Sequence, residues 1–265
     1  DEVAEICLEA CKAAKEAGVT ISCDLNYRNK LWSKEKAGKV MAELCQYVDV
    51  CIANEEDAAD VFGITSKGTD VTTGTVNREG YKDVAKQLAD RFGFEKVAIT
   101  LRESISANDN NWSAMLYDGT DYFFSKKYKM HIVDRVGGGD SFGGGLIAAT
   151  LSGYDSQATI EFAVAASCLK HSIEGDFNMV SMDEVAKLAG LPEKVVKRAR
   201  VLLRQMEQQT AAQNQKPEQS DDMQYSFAAM QQEQAVQMLK KTNLQELSDA
   251  ECRQVLEEVM NLLRG

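Results

Sequence analysis

A glycine-rich stretch that runs straight into a carboxylate is the part of the chain best suited to chemistry. It spans residues 134–140, DRVGGGD, so that Gly137, Gly138 and Gly139 lead directly into Asp140. Glycine lets backbone N–H groups approach an anion, and a helix N-terminus adds unpaired N–H donors and a positive partial charge. Such a site can stabilise a phosphoryl group in transfer, with Asp140 placed to accept a proton from an attacking hydroxyl. The residues equally allow a plain glycine turn in which Asp140 is an ordinary N-cap.

Polar side chains also follow three segments that are predicted to be strands, residues 19–24, 48–53 and 96–101. In open α/β sheets, ligands bind at the carboxyl ends of parallel strands, so these side chains are candidates for one common site. The planar guanidinium of Arg28 suits a carboxylate or a phosphate, although an Arg28–Asp24 ion pair would also explain it. The candidates are Asp24, Asn26 and Arg28, then Asn54 and Asp57, then Thr100, Arg102 and Ser104.

Hydrophobic periodicity predicts alternating strands and helices along the first 189 residues. A hairpin is predicted around Asp118-Gly119, between strands at 112–117 and 121–125. Strand–helix alternation favours an α/β fold with a mostly parallel sheet flanked by helices. The predicted helices are 2–17, 33–47 with Ser33 as N-cap, 80–92, 140–151, 155–173, and one opened by a Ser181/Glu184 capping box.

Length, composition and net charge argue against some classes of function. The chain has 265 residues, a formal net charge of −11 and a sequence pI near 4.8, which disfavours nucleic acid as a partner because phosphate contacts need clustered Lys and Arg. No apolar run approaches the roughly 18 residues that a membrane span requires. The seven cysteines are odd in number and show no C-x-x-C spacing, which is typical of reduced thiols in a cytoplasmic protein. His131 and His171 have no cluster around them and are interpreted as structural or as residues that support a site without contacting the ligand.

Composition changes near Gly190, after which glutamine becomes frequent. We predict a helix over 190–208, a disordered glutamine-rich linker over 209–227 and a helical association segment over 228–265. Within the last segment, residues 248–264 form an amphipathic pattern whose apolar stripe needs a partner. The sequence therefore predicts a homo-oligomer.

Residues 134–145 follow the pattern D-x-V-G-G-G-D-S-F-x-x-G, which resembles the second signature of the PfkB (ribokinase-like) carbohydrate kinases. The resemblance implies an ATP-dependent kinase with Asp140 as general base and Gly137–Gly139 as the anion hole. It also implies that Asp134 lies near a monovalent-cation site, so K⁺ is a candidate cofactor. Asn54 and Asp57 resemble the family's N-x-x-E motif, which orders Mg²⁺ and phosphate through water, with Asp in place of the usual Glu.

Residues 24–32, DLNYRNKLW, resemble the D-x-N-x-R-x-x-L-W stretch of 2-keto-3-deoxygluconate kinases. This resemblance implies a sugar-acid substrate held by Arg28, Asp24 and Asn26. The stretches containing Thr100, Arg102 and Ser104, and containing Asn178, resemble the subgroup's nucleotide-binding regions. The resemblance covers residues 1 to about 189 and includes no counterpart of the family's N-terminal Gly-Gly motif and β lid. We therefore expect weak nucleotide binding and poor turnover.

Residues 185–200 resemble the end of the ATPase domain of the mismatch repair protein MutS, and the last helix resembles the MutS C-terminus, which mediates self-association. Two functions thus stay open. One is a sugar-acid kinase, and the other is a dimerisation module attached to an inactive kinase fragment. The joint is either a working fusion or an erroneous joining of two genes.

Overall fold

A six-stranded sheet with helices on both faces forms the described part of the chain. The computed structural model describes residues 2–66, 78–192 and 208. The strands are β1 (Ser22–Asp24), β2 (Val50–Asn54), β3 (Lys96–Ser104), β4 (Asp109–Tyr117), β5 (Tyr122–Phe124) and β6 (Tyr128–His131). The helices are α1 (Glu2–Glu16), α2 (Lys34–Leu44), α3 (Glu55–Phe62), α4 (Arg78–Phe92), α5 (Gly138–Leu151), α6 (Ser156–Lys170) and α7 (Met182–Ala189), with a 3₁₀ turn at Cys45–Tyr47.

The sheet joins a parallel portion to an antiparallel portion. Strands β1, β2 and β3 are parallel neighbours, whereas β4 pairs antiparallel with β3, β5 and β6. Short connections such as the predicted turn at Asp118-Gly119 can join only antiparallel neighbours. The parallel register places Asn54 opposite Thr100, so the carboxyl ends of these strands lie side by side. The α/β fold with helices on both faces of the sheet, predicted from the sequence, is confirmed.

Side-chain alternation along the strands produces two cores. In β2, Cys51 and Ala53 face a core shared with α2, α3 and α4, while Ile52 between them faces α5 and α6 on the other side. Alternation with burial on both faces is expected for strands inside an α/β sandwich. Helix α7 extends the second layer by packing Val185 and Ala189 near α6. Residue Gly145 of α5 lets that helix approach α6 closely, since an added Cβ would lie 3.0 Å from the Cβ of Ala166.

Capping residues set several helix starts as predicted. The Ser33 hydroxyl accepts a hydrogen bond from Lys36 N, and Ser181 and Glu184 form a reciprocal capping box. Helix α1 ends one residue earlier than predicted and buries none of its side chains. The first strand is shorter than the predicted 19–24, because residues 19–21 lie outside the ladder with β2.

The predictions for residues 193–207 and 209–265, which include the glutamine-rich linker and the association segment, lie outside the described residues. Residues 191–192 at the start of the predicted 190–208 helix are not helical, because Gly190 terminates α7 in the left-handed conformation. Within the described part of the chain, no helix combines the length and the apolar character needed to cross a membrane.

Candidate active site

The glycine-rich stretch forms the N-terminus of α5. Gly137 is the N-cap, with φ of 77°, and the helix begins at Gly138. Asp140 is therefore the third helical residue, and its side chain is exposed, so the alternative in which Asp140 is the N-cap is wrong. The first N–H groups of a helix have no partner within the helix. The structure thus provides unpaired amides beside an exposed carboxylate.

The three glycines are required for different reasons. A Cβ at Gly137 would overlap the carbonyl oxygen of Asp176, and the left-handed φ is itself unfavourable for other residues. A Cβ at Gly138 would overlap the ring of His171. At Gly139, by contrast, φ is not positive and no protein atom lies within 4 Å of an added Cβ. Packing does not explain this third glycine, but close approach of a ligand to the backbone does.

A polar cleft of about 250 Å³ opens beside Gly139, at the carboxyl ends of β1, β2 and β3. Polar side chains from three separate stretches converge there, as expected for the parallel portion of an α/β sheet. The cleft brings together these predicted residues: Asp24, Asn26, Arg28, Asn54, Asp57, Thr100, Arg102 and Gly139. Ser104, at the end of β3, is exposed and is not part of its lining.

The carboxylates of the cleft influence one another. Partial loss of hydration, and next the neighbouring Asp57 carboxylate, raise the pKa of Asp24 to about 6. The charge of Asp140 raises this pKa further, whereas that of Arg28 lowers it. Burial also raises the pKa of Asp57, whose carboxylate accepts a hydrogen bond from Tyr27 N at 3.0 Å. Several acids thus share a site that also holds cationic side chains.

Three arginines, Arg28, Arg102 and Arg135, line this cleft. Among the described side chains, Arg28 and Asp24 form no salt bridge. The alternative in which Arg28 serves only as the ion-pair partner of Asp24 is therefore wrong. Arg135 donates a hydrogen bond to the carbonyl oxygen of Ala107, which fixes its position at the rim. Guanidinium groups in this number suit an anionic ligand.

Asn54 and Asp57 lie at the start of α3. The Asn54 side chain caps this helix by accepting a hydrogen bond from Asp57 N at 2.7 Å. Both residues also line the polar cleft. Within residues 2–66 and 78–192, no three His, Cys, Asp or Glu side chains are grouped so that they could hold a metal ion. A role of Asp57 in ordering Mg²⁺ through water stays a prediction.

Asp134 has a structural role that the sequence did not reveal. One carboxylate oxygen accepts a hydrogen bond from Val136 N at 3.0 Å, and the other accepts one from Gly175 N at 2.9 Å. These hydrogen bonds lower the pKa of Asp134. The carboxylate therefore ties the glycine-rich stretch to residues 173–176, and its predicted proximity to K⁺ remains a prediction.

Trp112 and His171 also line the polar cleft, although neither was predicted to contribute to it. His171 is buried, its Nδ1 lies 2.7 Å from Ser167 O, and its ring packs against Trp112 with 5.3 Å between ring centroids. Burial lowers the pKa of His171, so the ring is neutral at neutral pH. Trp112 Nε1 is buried without a hydrogen-bond partner among the described atoms. A lone histidine and a lone tryptophan carry no spacing signal that could have placed them here.

A second, largely apolar cleft of about 360 Å³ opens on the other side of the α5 N-terminus. Asp140, Phe177 and Asn178 line it, so Asn178 lies apart from the other residues that were predicted to bind nucleotide. The Asn178 Nδ2 donates to Ala166 O at 3.3 Å, while its buried Oδ1 has no partner among the described residues. A buried acceptor without a hydrogen-bond partner is unusual in a folded protein.

The chain is similar to several known proteins. The chain is 30% identical over 180 residues to a 2-dehydro-3-deoxygalactonokinase of Haloferax volcanii, covering 68% of this chain and 50% of that protein. A solved 2-dehydro-3-deoxygluconokinase of Thermotoga maritima is 52% identical, with a TM-score of 0.67, covering 72% of this chain and 56% of the other. A solved PfkB family carbohydrate kinase from Listeria grayi is 32% identical, with a TM-score of 0.61, covering 71% and 55%.

The chain thus spans about half the length of these relatives. These comparisons give the MutS-like ending no support, and it stays a prediction. The profile of the pfkB family carbohydrate kinases matches residues 1–181. With the helix-terminal glycine turn and Asp140 in the arrangement described above, this chain belongs to the PfkB family of carbohydrate kinases.

Proposed function

We propose that the chain carries the nucleotide-binding and catalytic portion of an ATP-dependent kinase acting on a 2-keto-3-deoxy sugar acid, with 2-keto-3-deoxygluconate as the first candidate. The observation that carries this proposal is the N-terminus of α5. There Gly139 borders the polar cleft while Asp140, the next residue, borders the apolar cleft. A phosphoryl donor and an acceptor hydroxyl would therefore meet at the helix terminus.

Asp140 acts as the general base in this proposal. Its exposed carboxylate accepts the proton of the substrate hydroxyl as that oxygen attacks the γ-phosphorus of ATP and the bond to the bridging oxygen of ADP breaks. The backbone amides of residues 137–139, of which Gly138 N also donates to Arg135 O at 3.3 Å, donate hydrogen bonds to the transferring group, whose negative charge the helix N-terminus also favours. The open space at the Gly139 Cβ position fits such an approach.

A sugar acid fits the polar cleft because of its charge. Arg28, free of an ion pair with Asp24, has a guanidinium fork available for the substrate carboxylate. Asp24 and Asn26, which follow the same strand, would bind substrate hydroxyls. The relatives named for 2-dehydro-3-deoxygluconate and 2-dehydro-3-deoxygalactonate support this substrate class, and the two acids differ only in the configuration at one carbon.

The nucleotide would extend across both clefts. The apolar cleft suits the base, and Asn178, which lines that cleft, would contact it. Asn54, Thr100 and Arg102 lie in the polar cleft, where the phosphates would be. Ser104 lies beyond both linings, and its proposed contact needs movement of the loop after β3. Mg²⁺, when bound with ATP, would neutralise phosphate charge, and Asp57 would hold it through water.

A coupled assay of ADP release with MgATP and 2-keto-3-deoxygluconate tests the proposal. Asp140→Asn keeps the size of the side chain but removes the base, and we expect phosphoryl transfer to fall at least about 100-fold. The matched control is Asp121→Asn, at an exposed acid in the β4–β5 turn. Because the chain spans about half its relatives' length, MgATP binding is measured in parallel by calorimetry. Absence of both nucleotide binding and turnover would falsify the proposal.

A further inference from the structure

Lys170, the last residue of α6, has a completely buried side chain. Its Nζ donates a hydrogen bond to the carbonyl oxygen of Ile173 at 3.1 Å. It forms no salt bridge with any side chain in the described ranges, although removing an ammonium from water without an ion pair carries a large free-energy cost. A buried, unpaired charge of this kind calls for an explanation beyond packing.

The position of this lysine provides the explanation. Its Cε lies 3.3 Å from where a Cβ on Gly137 would be, so the side chain runs directly behind the glycine-rich stretch. Hydrogen bonds chiefly lower the pKa of Asp134 and burial chiefly lowers that of His171, and the charge of Lys170 lowers both pKa values further. The Asp134 carboxylate is itself hydrogen-bonded to Val136 N and Gly175 N on either side. Lys170 is thus the buried cation nearest the proposed anion hole among the described residues.

We propose that Lys170 supplies a fixed positive charge behind the anion hole. Its buried ammonium, held by Ile173 O behind Gly137, creates a positive electrostatic potential at the glycine amides that receive the phosphoryl group. It is a positioning residue and touches neither substrate. The inference rests on the proposed function, since it presumes that phosphate binds at residues 137–139. It also replaces the expected K⁺ near Asp134, because a fixed ammonium already occupies the neighbourhood of that carboxylate.

The test measures the affinity of the full chain for a non-hydrolysable MgATP analogue and for adenosine. Lys170→Met removes the charge at similar volume, whereas Lys170→Gln removes the charge but keeps a donor for Ile173 O. The matched control is Lys126→Met, because Lys126 also donates to a backbone carbonyl, that of Ala189 at 2.5 Å, away from both clefts. Thermal unfolding of each variant shows whether it folds.

Both Lys170 variants are expected to bind the analogue about 10- to 100-fold more weakly, which is the range for removing one charge near an anion in a partly buried site. Adenosine, which has no phosphate, should bind all variants equally. Wild-type affinity for the analogue should be the same in K⁺ and in tetramethylammonium salts of equal ionic strength. This combination separates an electrostatic role from a general loss of structure.

Four results would overturn the inference. In the first, the Lys170 variants lose affinity for adenosine and for the analogue by the same factor. In the second, Lys170→Gln binds the analogue as tightly as the wild type does. In the third, the wild type requires K⁺ to bind the analogue. Each of these leaves the proposed kinase function intact. If the wild type binds neither ligand, the proposed function fails, and the inference about Lys170 fails with it.

Discussion

Replacing Gly139 by alanine should separate ligand binding from folding. An added methyl group at this position meets no protein atom within 4 Å, and the helical backbone there tolerates alanine. Because alanine is the better helix former, Gly139→Ala should stabilise the fold by up to about 1 kcal/mol. The same methyl group would project into the polar cleft and hinder a ligand oxygen from reaching the helix amides. Losing one hydrogen bond to a charged group costs about 1.5–3 kcal/mol, or about 10- to 150-fold in affinity.

The assay is calorimetric titration with tripolyphosphate, which presents phosphate oxygens without a base, alongside thermal unfolding. Gly144→Ala is the matched control, since Gly144 lies in the same helix, also has open space at its Cβ position and lines the apolar cleft instead. It should gain stability and keep tripolyphosphate affinity. Gly137→Ala should instead lose about 1–2 kcal/mol or more from its left-handed φ alone. Unchanged tripolyphosphate affinity in Gly139→Ala would refute the reasoning.

Three further predictions follow from the site and the C-terminal residues. The fold raises the pKa of Asp24 to about 6 from an ordinary value of 3.8. Its contribution to the free energy of unfolding is therefore present below pH 3.8 and is lost as pH rises through 6. Asp24→Asn should remove that part of the pH dependence in denaturant titrations between about pH 4 and 7. Arg28→Met should raise KM for 2-keto-3-deoxygluconate about 10- to 100-fold while leaving the affinity for MgATP within about threefold, and an equal loss for both ligands would contradict its assignment to the substrate carboxylate. Deleting residues 191–265 should lower the oligomer mass in sedimentation experiments, and an unchanged mass would rule out the predicted association segment.

Local patterns allowed much of the fold to be predicted. The capping box of Ser181 and Glu184, the Ser33 cap and the turn at Asp118-Gly119 each act within a few residues, so their chemistry is legible in the sequence. The glycine-rich stretch before Asp140 was likewise identifiable, because helix N-termini and glycine both have short-range causes. Strand ends were less certain, since the extent of a strand depends on its neighbours, as the shortening of β1 shows.

The composition of the site depended on contacts between distant parts of the chain. Sheet register and helix packing bring Asp24, Asp57 and Asp140 close enough to affect one another's charge, although they are far apart in sequence. The same packing separates Asn178 from the other predicted nucleotide residues.

Only the tertiary structure showed that Gly137 and Gly138 are required by packing while Gly139 is open to a ligand. It also placed Lys170 in full burial behind the glycine turn, which no spacing along α6 indicated. By itself the sequence determined the residue types and the local geometry available for phosphoryl transfer, because capping and glycine conformations are short-range effects. The tertiary structure decided which charges meet and which are buried, because proximity and desolvation arise only when distant segments pack together.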